Sequence, residues 1–147
     1  MIPSVALYKR KNRLVVASYS ETVSGYHVFN GSFGWLDEPN VDAEELGAMV
    51  IQYLTYCTSS VPDPDWSRES PFDTVLEAFG VSSHSSFMKG SLSVDVSDKG
   101  IVLEVTPTKN AGARGGFVQI PDSTETISDK TYGNIGKVVL DVFQRAQ

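Results

Sequence analysis

Two histidines, one cysteine and three groups of carboxylates are the side chains of this chain whose types could do chemistry. A pair of imidazoles can relay protons near neutral pH. His27, however, stands between Tyr26 and Val28 in a strand-like stretch, His84 stands in the serine-rich run Val81 to Ser86, and no spacing links them. Ordinary surface or half-buried histidines are the expectation. Cys57 closes an amphipathic stretch, where a free cysteine behaves as a small hydrophobe. As the sole cysteine it excludes an internal disulfide and a cysteine-based zinc site. No Gly-x-Ser-x-Gly elbow is present to arm a serine. The carboxylates fall at Asp37-Glu38, Asp42 with Glu44-Glu45, and Asp63 with Asp65. A metal cage needs several oxygens converging on one point, and Pro62 to Asp65 has neither the length nor the glycine of a calcium loop. Solvated acidic faces are expected, with no metal and no cofactor. Asn110 to Gly116, flanked by Lys109 and carrying Arg114, superficially resembles a phosphate cradle. Its glycines lead into Phe117 to Ile120, which reads as a strand rather than the helix start such a cradle requires.

Binding is a better use of these residues than catalysis. Trp35 lies beside Asp37 and Glu38, and Trp66 lies beside Asp63, Asp65 and Glu69. Large aromatics in an acidic setting suit an interface with a basic protein, where buried anchors dominate affinity. The competing reading places one or both tryptophans in the core. Lysine and arginine number 12 against 18 acidic residues, a formal charge of −6, and the pI is about 4.8. That balance disfavours nucleic acid as a direct partner and permits a basic protein, whose encounter it would speed.

The elements that must position these residues form a doubled pattern. Apolar residues fall at Leu46, Met49, Val50, Tyr53 and Leu54, and again at Ile135, Val138, Val139, Val142 and Phe143. Both sets trace one stripe of a helix. Gly47 and Gly136 follow the first apolar position of each, which points to close backbone approach at both. Upstream, residues 4–9 and 13–19 read as a hairpin, as do 91–97 and 101–106. Asn12 and Gly100 are assigned the same place in two three-residue links, which puts the halves out of register by about one residue. Residues 24–29 and 31–36 read as one or two further strands. Ser70, Pro71 and Gly80 bound a shorter helix, with a further turn carrying Phe87 and Met88. The expected fold is α+β: a single domain of tandem hairpin, strand and helix repeats at about 4–57 and 91–146, joined by a segment at about 58–90, forming an antiparallel sheet packed by helices. No stretch approaches the ~20 apolar residues of a membrane span and no leader is evident, so a cytoplasmic location is expected.

The chain resembles a family of bacterial immunity proteins from contact-dependent growth inhibition systems. The likeness rests on Val5-Ala6-Leu7-Tyr8-Lys9 with Asn12-Arg13-Leu14, on Ser18 to Thr22, and on the Asp42 helix with Leu46-Gly47. It continues through Leu76 to Val81, Ser86-Phe87, Gly115-Gly116-Phe117, Ile120-Pro121 and Ile135-Gly136, departing at Ser85-Ser86-Phe87 from the expected bulkier mix. The resemblance implies a non-enzymatic cytoplasmic protein that binds the toxic C-terminal domain, in many cases a nuclease, delivered by a neighbouring cell. It carries over no catalytic residue. Chemistry alone nominates Trp35, Asp37, Glu38, Asp63, Asp65, Trp66 and Glu69 as the toxin-binding surface. Two alternatives stand beside this: a small-molecule or peptide-binding module with a pocket where the halves meet, and a small hydrolase or nuclease using His27 or His84.

Overall fold

The computed structural model describes residues 1–65, 67 and 70–147; Trp66 and Glu69 lie outside the described residues. In chain order the elements are β1 (Ser4–Arg10), β2 (Arg13–Glu21), β3 (His27–Asp37), α1 (Ala43–Leu54), α2 (Asp73–Ala78), α3 (His84–Met88), β4 (Leu92–Asp98), β5 (Leu103–Asn110), α4 (Gly112–Gly115), β6 (Phe117–Gln119), β7 (Glu125–Ile127) and α5 (Tyr132–Phe143). The described strands form one antiparallel sheet in the order β3-β2-β1-β4-β5-β6, with β7 also pairing β5. The α+β domain with helices on an antiparallel sheet is therefore the observed architecture.

Helices α1 and α5 lie on one face of the sheet. Their apolar stripes, Leu46, Val50 and Leu54 with Ile135, Val139, Val142 and Phe143, close over Val5, Leu7, Leu14, Val16, Val94, Val96, Leu103 and Val105. Burial of each such side chain contributes roughly 1.5–3 kcal/mol. The helices cross backbone to backbone. A Cβ added to Gly47 would stand 1.8 Å from the Tyr132 carbonyl oxygen, and one added to Gly136 would stand 1.8 Å from that of Ala43. Gly47 and Gly136 are 89 positions apart, as are Ala43 and Tyr132, so the contact is reciprocal.

The same spacing runs through the strands without a slip. β1 pairs β2 up to Arg10↔Arg13. In the second half the Lys99 N–H donates to the Val102 carbonyl at 2.9 Å, and Asp98 pairs Leu103. Both links are thus two-residue loops, Lys11-Asn12 and Gly100-Ile101. The left-handed residues are Lys11 (φ 54°) and Gly100 (φ 94°), again 89 apart. The expected equivalence of Asn12 with Gly100 is corrected accordingly. The positive φ falls on the first loop residue, as hairpin twist demands, despite the cost of a Cβ at Lys11.

Two further expectations change in detail. Residues 27–37 form one continuous strand whose pairing register shifts between Ala17 and Tyr19 of its partner. Ser70 does not cap α2: its hydroxyl accepts from the Phe72 N–H at 3.2 Å, and the helix begins at Asp73. Asp42 does cap α1, accepting from the Glu44 N–H at 3.1 Å.

Candidate binding site

The opposite face of the sheet is only partly covered. Strands β1 and β2 are apolar on both sides, with Ala6, Tyr8, Val15 and Ala17 pointing away from α1 and α5. Strands buried on both faces read as continuous apolar runs rather than alternating ones. Segment 70–88 packs here through Phe72, Val75, Leu76, Phe79, Phe87 and Met88, meeting Phe29 and Phe33 of β3. Arg13 ties it down, its Nη1 donating to the Ala78 carbonyl at 2.7 Å. On β4 the residues on this face are Ser93, Asp95 and Ser97; Ser93 is buried, and Asp95 and Ser97 are half-buried.

Between residues 61–64 and 70–87 on one side and the sheet on the other opens a cavity of about 940 Å³, whose walls include Tyr8, Tyr19, Phe29, Phe72, Phe87 and Phe117. Aromatic rings meet edge to face around it, Tyr8 with Phe72 at 5.4 Å and Phe29 with Phe72 at 5.8 Å. A cleft of about 530 Å³ continues from it over β4, sharing Tyr8, Tyr19, His27 and Phe117 and adding Ser93, Asp95, Ser97, Lys99 and Gln119. At the junction the Tyr8 and Tyr19 hydroxyls are hydrogen-bonded to each other. Burial pushes both phenols up, Tyr19 to about 12, and the nearby Asp95 carboxylate adds to the shift in each. Asp95 itself is raised, because burial disfavours its charge more than the hydrogen bond from Gln119 Nε2, at 3.0 Å, restores it.

Both histidines line the larger cavity, which their separation in sequence did not indicate. His27 Nδ1 lies 3.5 Å from the Ser4 hydroxyl, and among the described residues neither imidazole is hydrogen-bonded to a carboxylate. That arrangement gives no oriented general base of the kind a triad requires. Cys57 is turned elsewhere, its thiol donating to the Ser4 carbonyl at 3.2 Å.

The nominated acidic and aromatic residues that the structure describes form two separate groups. Trp35 is 45% exposed, stacked on Phe33 with ring centroids 6.0 Å apart and lying 5.0 Å beneath the Arg13 guanidinium. It is not a core residue. Asp37 receives both arms of Arg13, at 2.7 and 3.2 Å, which holds its carboxyl below the usual range. Glu38 pairs with Lys9 at 2.7 Å. Asp63 sits at the other end of β3, accepting from the Ser24 backbone N–H at 3.3 Å and from its hydroxyl, and Asp65 accepts from the Ser67 hydroxyl at 2.6 Å. β3 spans eleven residues, roughly 33 Å at strand rise, so the two groups do not make one patch. Tyr8, Tyr19, Asp95 and Gln119 were missed from the sequence. Their signals were the non-alternating apolar runs of β1 and β2 and the polar alternate face of β4.

No protein-family model and no curated protein matches the chain. Solved structures do. A protein of unknown function from Neisseria meningitidis superposes with a TM-score of 0.82 at 17% identity, covering 100% of this chain and 96% of that one. A chain of the CdiA-CT/CdiI toxin and immunity complex from Yersinia pseudotuberculosis superposes with a TM-score of 0.81 at 14% identity, covering 100% and 98%. At these identities the likeness is one of fold.

Proposed function

We propose that this chain is an immunity protein that binds the toxic C-terminal domain of a contact-dependent growth inhibition effector and neutralises it by occlusion, without turnover. The observation that carries the reading is the end-to-end likeness of fold to a chain of a toxin and immunity complex. The charge of −6 supports a basic partner such as a nuclease domain. The aromatic cavity and its cleft offer a concave, partly apolar surface, and Trp35 offers an exposed anchor beside it in sequence and on the same sheet face. Asp37 and Glu38 already hold intramolecular cations, so their part is to steer and rim the interface. Asp63 and Asp65 form a second acidic group at the far end of β3.

The test is protection. The chain is expressed in a susceptible cell together with the toxic domain encoded by the adjoining reading frame, and viability is scored. Survival with the chain and death without it is expected. Death in both cases, or catalytic turnover by the purified chain that His27→Ala or His84→Ala abolishes, overturns the reading.

A further inference from the structure

The cleft over β4 carries a half-buried carboxylate that no ion pair among the described residues balances. Asp95 lines the cleft and accepts one hydrogen bond, from Gln119 Nε2 at 3.0 Å. Among the described residues it takes part in no ion pair. Among the described residues Lys99 and His27 also line the cleft, and Lys99 is turned to Glu104 at 3.6 Å. Ser93, Ser97, Tyr8, Tyr19 and Phe117 line the cleft together with Asp95. A carboxylate withdrawn from water without a positive partner is costly to the free chain. Its Coulombic effect is felt by both tyrosines beneath it.

We infer that the Asp95 cleft receives an arginine side chain of the basic partner, pairing its guanidinium with the Asp95 carboxylate. The surroundings favour arginine. Its planar fork matches a carboxylate and can donate further to the Ser97 hydroxyl and the Gln119 carbonyl, while its flat face suits flanking rings. Occupied, the cleft converts an uncompensated charge into a desolvated pair, the kind of contact whose loss is felt strongly in dissociation. The inference rests on the immunity reading for the identity of the partner and adds the anchoring contact to it.

Asp95→Asn tests it, because the amide keeps the shape and can still bond Gln119 while losing the charge. Affinity for the toxic domain encoded by the adjoining frame is measured by calorimetry for the parent, for Asp95→Asn and for Glu44→Gln, which removes an equal charge from exposed α1. The expected result is roughly a 30-fold or greater weakening for Asp95→Asn and little change for Glu44→Gln, with the melting temperature of Asp95→Asn at or above that of the parent. A purely structural role for Asp95 would lower the melting temperature instead, which overturns the inference. Undiminished affinity in Asp95→Asn also overturns it while leaving the immunity reading intact. Failure of the parent to bind overturns both. As a second readout, the Gln119 side-chain amide resonances should shift on adding the toxic domain. If arginine amide or spermidine shifts them and the toxic domain does not, the cleft belongs to a free cation and the inference falls.

Discussion

Replacing Gly47 by alanine is expected to destabilise the fold even though alanine is the better helix former. Intrinsic propensity favours the change by about 1 kcal/mol. Against it stands a Cβ only 1.8 Å from the Tyr132 carbonyl oxygen, some 1.5 Å inside ordinary contact. The obstacle is backbone, so relief requires α1 and α5 to move apart, loosening Leu46, Val50, Ile135 and Val139 together. Overpacking of this kind costs roughly 1–3 kcal/mol and occasionally more. Because the obstacle is backbone the upper end of that range applies, and the net expectation is a loss of about 2 kcal/mol, or ~4–8 °C in Tm for a chain of this size. Gly136→Ala should cost the same through the Ala43 carbonyl. The double variant should cost less than the two together, since the first separation of the helices makes room for the second Cβ. Gly133→Ala, in the same helix with nothing within 4 Å of the added carbon, should be neutral or stabilising by up to about 1 kcal/mol. Chemical denaturation of the four variants and the parent checks this. A neutral or stabilising Gly47→Ala would refute the close crossing and with it the reciprocal packing of the two halves.

Other expectations follow from the same geometry. Lys11→Gly should stabilise by a few tenths to about 1 kcal/mol, measured by urea unfolding, because Lys11 holds φ 54° with a Cβ. Asp95 has a folded pKa raised from 3.8, so the stability it contributes is full below that value and is lost as pH rises through the folded one. The melting temperature of the parent should therefore gain on that of Asp95→Asn as pH is lowered from neutrality toward 4. Tyr19 should ionise with a midpoint at about 12, read by ultraviolet difference titration, with stability falling as pH rises through that range. Charge reversal at Asp37 and Glu38 should slow association with the partner, seen in stopped-flow rates at low salt, and change dissociation little.

Much of the fold was legible because the helices repeat a strong local signal. Leu46 to Leu54 and Ile135 to Phe143 declare a stripe, and the paired glycines declare the crossing. The hairpin register was misjudged because Asn12 is the residue type usually found at positive φ, whereas strand pairing puts that burden on Lys11. The binding face was largely illegible. Its walls come from Tyr8, Tyr19, Phe72, Phe87 and Phe117, which only the fold-back of segment 70–88 brings together. Likewise Asp37 and Glu38 looked like free acids, since nothing local announces that Arg13 and Lys9 face them across the strands.

The measurement that bears most directly on the proposed role is the stoichiometry and affinity of the purified chain with the toxic domain encoded beside it, set against that domain's activity. A one-to-one complex with Kd of about 1 nM or tighter, and toxic activity extinguished at equivalence, is the expected result. No complex at micromolar concentrations, or a complex in which the toxic domain stays fully active, would contradict it.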